Sequence, residues 1–503
     1  MTRELLAGLD AGTSSIRTLL FDRGGRPVAV AAAPTHTRHP SPGWAEQDAR
    51  ETLRLARLTL SRALRTDAAR NARVVGLGIT NQRESVVAVD AESGKPLSPL
   101  LLWHDTRTEA IAREHAQGGW ARRLWRSGGL PLTTYPSAPK MVWILRHSPE
   151  ARAAARSGRL RFVTVDALLA HDLLGRSTVG PAWITDASNA SRTLLFDLDR
   201  GRYDPSALDH FGIREEWLPE IVPSFGTDLG SVAGMGPEPL PLRSLLGDQQ
   251  ASLLGLTWGT PARAKMTLGT GAFLLSRGRP GYDAPRSGMI RTVLWQRSGA
   301  APEIGIEGSV GTVGSFLDWL GPTGLGLFRD VPEMERRAAR ARPGDESFLP
   351  ALGGLFAPYW DPHQRGHLSG LSLDTRREEL ARAALDGVAH RVADVLEALS
   401  ADGNGPPATW IVDGGLSRSR FLLQRIADLS GRTLVRSPLT EGTAWGAALA
   451  AGWGTGLASG QDIPARGRNR AGPSRIRPSL SRTASRRLRE RWRGSVGLPS
   501  PPT

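Results

Sequence analysis

Three stretches of this 503-residue chain concentrate polar groups where apolar neighbours would bury them. In the first, Asp10 ends an apolar run and is followed by Gly12, Thr13, Ser14, Ser15 and Arg17. Unobstructed amides and short hydroxyls at a tight turn suit phosphate oxygens, and they equally suit an ordinary hairpin. A carboxylate beside such a turn could face a metal–phosphate group through water, as magnesium prefers. In the second half of the chain, Gly269, Thr270 and Gly271 repeat the arrangement in "MTLGTGAFLLS". The third stretch, "GITNQRESVVAV", places Thr80, Asn81, Gln82, Arg83, Glu84 and Ser85 in a row between apolar segments. Such a run is costly to bury unless each group is paired or used. Asp248, in "LLGDQQASLLG", reads either as an acid/base group or as a helix N-cap. A GxxxxGK[ST] motif is missing, so a nucleotide would be held without a P-loop lysine.

The elements that must position these residues are legible as patterns. Apolar runs at 5–9 and 18–22 predict a β-hairpin around "DAGTSSIR", and "MTLGTGAFLLS" predicts a second, so the plan looks duplicated. Alternating strand-like and helix-like segments between them indicate an α/β protein. Thr375 and Glu378 suggest a capping box opening a helix whose Leu380, Ala384, Val388, Val392, Val395 and Leu399 share one face. After a Gly/Pro-rich break at 403–407, "TWIVDGGLSRSRFLLQRIADLSG" reads as strand, diglycine turn and helix. Ser481 can cap a last helix, about 481–496, with Leu488, Trp492 and Val496 on one face. A loose end at "LPSPPT" is expected to follow.

A mass of 54.0 kDa exceeds what one core usually organises, and two domains are expected, at 1–250 and 251–503. The lack of cysteine excludes disulfides and thiolate metal sites and fits a reducing compartment. No apolar run approaches the roughly 18 residues a spanning helix needs, so a cytoplasmic protein without membrane insertion is expected. The net charge of +15 is concentrated at the end, where eleven Arg and one Glu follow from residue 466 onward. Lysine occurs only at Lys95, Lys140 and Lys265, and base-stacking aromatics do not cluster with the arginines, so nucleic acid is not an expected partner.

Ten stretches in order resemble the FGGY carbohydrate kinases over nearly the whole chain. They are "LDAGTSSIRTLLFD", "PSPGWAEQD", "GITNQRES", "GLPLTTYPSAPKMVWIL", "SNASRTLLFDL", "GDQQASLLG", "LGTGAFLL", "APYWDPHQRG", "VDGGLSRSRFL" and "RPSLSRTASRRLRERWRGSV". The resemblance implies two ribonuclease-H-like domains of the actin/hexokinase/Hsp70 type around an interdomain cleft. It implies ATP with Mg²⁺ near Asp10 and Asp248, and glycerol as the phosphoryl acceptor. Arg83, Glu84, Trp103, Tyr135, Asp248, Gln249 and Phe273 match its polyol ligands, with Arg83 and Glu84 pairing with one another when no polyol is held. Asp248 matches the general base. Gly12, Thr13, Ser14, Ser15, Arg17, Gly269, Thr270 and Gly271 match its phosphate turns, while Gly314, Asp318, Gly415 and Ser419 fall at its adenosine positions. The family often has Gln at Asp318, Asn at Ser419 and Gln at His104; the first two flank the adenosine site and bear on nucleotide affinity more than on reaction class. A pentulose, tetritol or gluconate kinase, or an inactive sensor or scaffold, are the neighbouring readings, and a homodimer or homotetramer is compatible with all of them.

Overall fold

The computed structural model describes residues 3–175, 183–236, 238–260, 262–278, 284–400, 407–453, 455 and 474–502. The Gly/Pro-rich break at 403–406 and the start of the basic tail at 466–473 lie outside them. The chain forms two compact units. The first comprises Met1–Gly259, Arg291–Gly305 and Glu441–Gly467, and the second Thr260–Ile290, Ile306–Thr440 and Arg468–Thr503. Two later segments thus return to the first unit, which a single cut in the sequence would assign to the second.

The first unit is built on a six-stranded sheet in the order Phe225–Val232, Leu240–Gly247, Ala72–Asn81, Arg3–Ala11, Ser15–Phe21, Pro27–Pro34. Its centre strand, Arg3–Ala11, is buried from Leu5 to Ala11 because helices cover both faces, which explains its unbroken apolar run. The expected hairpin is present, with Ala11 opposite Ile16. Arg3–Ala11 and Leu240–Gly247 both run parallel to Ala72–Asn81, and the register sets Ala11 and Gly247 beside Asn81. Three strands therefore end at one level, and the carboxyl ends of parallel strands are where α/β sheets present ligand-binding loops. On one face, Ala49–Leu64, capped by Asp48, buries Leu55, Ala56, Leu60 and Ala63. Helix Gly442–Ala451 packs so closely on the sheet that a Cβ at Gly8 would lie 2.1 Å from the Ala444 carbonyl oxygen. A smaller sheet orders Thr37–Arg38, Glu46–Gln47, Leu100–Leu101, Val86–Asp90 and Leu160–Thr164.

A seven-stranded sheet carries the second unit's strands and, from its second strand on, runs in the order Glu303–Val310, Ala272–Arg277, Ala264–Leu268, Thr409–Asp413, Thr433–Arg436, Arg475–Ile476. Its hairpin sets Leu268 opposite Ala272, and Thr409–Asp413 runs parallel to Ala264–Leu268. Helix Arg377–Ala398 starts one residue later than expected. Glu379, not Glu378, closes back on the backbone N–H of Arg376 at 3.0 Å. Thr375 is drawn away because its hydroxyl donates to Glu346 at 2.8 Å, while Glu378 pairs with Arg337. The last helix, Arg482–Val496, has Ser481 as its cap and buries Trp492 and Val496. The end beyond it is not loose: Leu498 packs against the Leu349, Ala351 and Leu355 cluster, and the Pro499 carbonyl lies 3.1 Å from the Tyr359 hydroxyl. Among the described residues, no helix is long and apolar enough to cross a membrane.

Candidate active site

All six residues from Thr80 to Ser85 are buried, at most 3 % exposed, and their polar groups organise the first unit's strand ends. Gln82 is the hub. Its Oε1 accepts from the hydroxyls of Thr13 and Ser85, each at 3.1 Å, and its Nε2 donates to Gln47 at 3.2 Å. Asn81 exchanges amide hydrogen bonds with Asn189 at 2.9 and 3.3 Å. Whereas the sequence suggests that Arg83 and Glu84 neutralise one another, each meets an ion from further along the chain. Arg83 Nε lies 3.1 Å from Asp248 Oδ1, with Nη1 donating to Gln250 at 3.3 Å. Glu84 Oε1 accepts from Arg192 Nε at 2.5 Å.

Asp248 is the first residue of helix Asp248–Thr257, so Gly247 and not Asp248 is the N-cap. A Cβ on Gly247 would come within 2.7 Å of the Arg83 side chain, which crosses that position. Asp248 Oδ1 also accepts from the backbone N–H of Gln249 at 2.7 Å, and Oδ2 has no hydrogen-bond partner among the described residues. Gln249 is half-buried next to it. Trp103 links two of these segments: its Nε1 donates to the Thr13 hydroxyl at 3.1 Å, and its ring meets the buried Tyr135 ring edge-on at 6.0 Å. Arg192 lies over the Tyr135 ring at 5.5 Å.

At the phosphate-like turn, the Gly12 N–H donates to the Ser15 carbonyl at 3.0 Å, which tightens the hairpin and leaves Ser14 exposed. Arg17 is held between two carboxylates, Asp10 and Glu441, at 2.8 Å each. Burial pushes Asp10 up to about 6, against the opposing pull of Arg17, and the neighbouring charges of Asp248 and Glu441 push the same way. Asp10 and Asp248 are thus near enough for their charges to act on one another, two carboxylates that could serve one cation. Mg²⁺ takes one or two carboxylates and completes its shell with water and phosphate, so these residues fit it. Among the described residues there is no cluster of three or more acidic, His or Cys side chains suited to a metal.

The second unit brings Gly269, Thr270, Gly271, Gly314 and the diglycine together. Backbone N–H groups of Val313 and Ser315 donate to the Thr270 carbonyl, and that of Gly314 to the Gly269 carbonyl, between 2.9 and 3.1 Å. A Cβ at Gly314 would stand 2.5 Å from the Gly269 oxygen, so this glycine is required by the turn it supports. Gly414, at φ 89° and against the Leu268 carbonyl, makes the bend that leaves the Cα of Gly415 facing open space. Asp318 is exposed on helix Gly314–Trp319. Ser419 is buried: its hydroxyl caps helix Arg420–Ser430 through the Leu422 N–H at 3.1 Å and contacts Glu335. Phe273 is half-buried on strand Ala272–Arg277.

Arg192, Gln82, Lys140 and Glu441 carry weight that the sequence reading did not give them. Lys140 is fully buried and its ammonium reaches the carbonyls of Thr134, Tyr135 and Pro136 at 2.7, 2.7 and 3.1 Å. Each is charged or amide-bearing, and its residue type alone does not name a partner far along the chain.

Comparison with known proteins agrees along the chain. Residues 5–255 match the N-terminal domain and residues 264–455 the C-terminal domain of the FGGY family of carbohydrate kinases. A glycerol kinase of Rhizorhabdus wittichii is 40 % identical over 460 residues, covering 91 % of this chain and 89 % of that protein. The structure of Plasmodium falciparum glycerol kinase with ADP superimposes with a TM-score of 0.88 at 26 % identity, covering 98 % of both chains. A ligand-bound xylulose kinase from Lactobacillus acidophilus shares the fold, with a TM-score of 0.83 at 19 % identity over 99 % of both.

Proposed function

The chain belongs to the FGGY family of carbohydrate kinases, ATP-dependent enzymes with this two-domain α/β fold, and from that premise we propose that its acceptor is glycerol and its product sn-glycerol 3-phosphate. The observation that supports this most is the group at the strand ends, buried Arg83 and Glu84 with half-buried Asp248, and Trp103 and Tyr135 beside them. A guanidinium donates and a carboxylate accepts, so adjacent hydroxyls of a small polyol are held in one orientation. Aromatic faces supply the wall against the carbon chain, with Gln249 and Phe273 as further ligands. The glycerol kinases at about this level of identity support the same choice of substrate.

Asp248 acts as general base. Its Oδ1 is fixed by Arg83 and the Gln249 amide, so Oδ2 takes the proton of the terminal hydroxyl as that oxygen attacks the γ-phosphorus. The bond from phosphorus to the β–γ bridging oxygen breaks and ADP leaves with that electron pair. Asp10 and Asp248 would hold Mg²⁺, which when bound neutralises phosphate charge. Amides and hydroxyls at Gly12, Thr13, Ser14 and Ser15, the Arg17 guanidinium and the Gly269–Thr270–Gly271 turn align the phosphates. Gly314, Asp318, Gly415 and Ser419 border the adenosine. The Ser419 hydroxyl already caps a helix, so its contribution there is to shape.

A coupled ADP-release assay across glycerol, dihydroxyacetone, erythritol, xylulose and gluconate tests the reading. Glycerol should give the highest kcat/KM. A preference for xylulose or gluconate would overturn the substrate while leaving the family in place, and nucleotide binding without turnover on any of the five would overturn the kinase role.

A further inference from the structure

The segment Asp186–Thr193 touches the segments that carry Arg83 and Glu84, Tyr135, and Asp248. Asp186, a buried carboxylate, caps the short helix Ala187–Ala190 through the N–H groups of Ser188 and Asn189. From there its polar groups reach different neighbours. The Ser188 hydroxyl accepts from the Gly247 N–H at 2.9 Å, one residue before Asp248. Asn189 is bonded to Asn81 at 2.9 Å, two residues before Arg83. The Thr193 carbonyl accepts from the Ala138 N–H at 2.9 Å, at the start of the helix that follows Tyr135. Arg192 lies at the centre, wholly buried, with Nε on Glu84 at 2.5 Å and Nη2 3.4 Å from the Tyr135 hydroxyl.

We propose that Arg192 is the positioning residue of the polyol pocket, setting the Glu84 carboxylate and the Tyr135 ring in the geometry that selects a small polyol. The inference rests on the polyol reading above. Two observations carry it beyond packing. Glu84 adopts φ 61°, a left-handed backbone that a non-glycine residue rarely holds unless its surroundings impose it. Its carbonyl accepts from Ser137 at 3.0 Å and its carboxylate from Arg192, so main chain and side chain are fixed separately. Moreover, a buried ion pair is often matched or exceeded in stability by apolar residues of similar volume, so stability alone does not account for placing Arg192 here. A planar guanidinium, by contrast, can fix a carboxylate and a phenol at once through differently directed N–H groups.

The experiment compares steady-state kinetics of the parent, Arg192→Met, Arg192→Lys, Glu84→Gln and the Arg192→Met/Glu84→Gln double variant, each checked by circular dichroism and thermal melting. Arg192→Met should raise the glycerol KM by about tenfold or more, the effect of losing a charged hydrogen bond in a buried site, and leave the ATP KM within about twofold. Arg192→Lys, which keeps the charge but not the fork, should restore part of the loss. Because both substitutions remove the same orientation, the double variant should be hardly worse than the poorer single one. Multiplying losses in the double variant, or an unchanged glycerol KM in a folded Arg192→Met, would overturn the assignment. If Arg192→Met does not fold, Arg192→Lys decides alone: a severalfold rise in glycerol KM supports the role and an unchanged KM overturns it. If the parent prefers another acceptor, the same series is run with that acceptor, so the identity of the substrate and the role of Arg192 are judged separately.

Discussion

Arg83 and Asp248 face one another across the ends of two strands, Nε to Oδ1 at 3.1 Å, with the Arg83 guanidinium 2 % exposed and the Asp248 carboxylate 28 % exposed. The pairing is asymmetric. It holds one carboxylate oxygen of the more accessible partner and leaves the other oxygen as an acceptor. That is the arrangement a general base needs, since orientation and proton acceptance fall to different oxygens of one group.

Asp248→Asn keeps the size of the side chain and one acceptor oxygen while removing basicity. Turnover should fall by about 10²-fold or more, as loss of a general base typically does. Glycerol affinity, measured by calorimetry, should change far less, because Arg83 and Glu84 remain. Near-normal turnover would remove Asp248 from the proton transfer.

Asp10 makes the first unit pH-sensitive. Burial lifts it from the usual 3.8 to about 6, so the folded state holds a proton that the unfolded state has released across that interval. The sign follows: this contribution to stability is complete below 3.8 and is lost as pH rises through about 6, up to about 3 kcal/mol. Asp10→Asn, which does not titrate, should therefore gain stability relative to the parent between pH 4 and 7 in urea denaturation. Activity should run the opposite way. Arg17 and Mg²⁺ both call for the anion, so kcat/KM for ATP should rise as pH climbs through about 6. A parent-minus-variant stability difference that stays flat with pH would show that Asp10 does not titrate there.

The sequence revealed most where the signal is local. Both glycine hairpins are framed by their own apolar runs, and Ser481 with Trp492 and Val496 marks the last helix within sixteen residues. What the sequence withheld is set by long-range partners. Arg192 meets Glu84 across 108 positions and Glu441 meets Arg17 across 424, and a pattern of residue types does not carry such pairings. The helix start at Arg377 was misplaced for the same reason: a distant residue, Glu346, takes the hydroxyl of Thr375. Side-by-side strand ends were legible as strands, yet their common level at Ala11, Asn81 and Gly247 is a matter of register.

The arginines of the last helix are in part internal. Asp394, fully buried, accepts from Arg493 at 2.7 and 2.9 Å on one oxygen and from Arg391 at 2.8 Å on the other. Without Arg493, Asp394 keeps Arg391 on one oxygen but loses both N–H donors on the other, a loss of about 1–3 kcal/mol for a buried acceptor left unsatisfied. Arg493→Met should accordingly lower the melting temperature, while Arg487→Ala, exposed on the same helix, should leave it within about 1 °C, as expected of a surface change with little effect on stability. Equal melting temperatures for the two variants would mean that the closing helix contributes little to the second unit.

Glu441 and Asp10 share Arg17, one on each terminal nitrogen at 2.8 Å, and the triad of two carboxylates and one guanidinium carries a net negative charge. That charge opposes a polyphosphate, whereas Arg17 alone attracts one. Glu441→Gln still offers an oxygen to Arg17, so the guanidinium stays oriented while the excess charge is cancelled. The side chains of Arg17 and Glu441 are about a third and a quarter exposed, so solvent screens the effect to roughly 0.5–1 kcal/mol, which predicts an ATP KM about two- to fivefold lower. Arg17→Met should act oppositely, raising the ATP KM by about tenfold or more through the lost charge-assisted contact. Salt provides the control, because the gain in Glu441→Gln is electrostatic and should shrink between 0.05 and 0.5 M potassium chloride as the screening length falls from roughly 14 to 4 Å. A higher ATP KM in Glu441→Gln at low salt would mean that Glu441 helps Arg17 reach the phosphates, and the charge-balance reading of the triad would have to be abandoned.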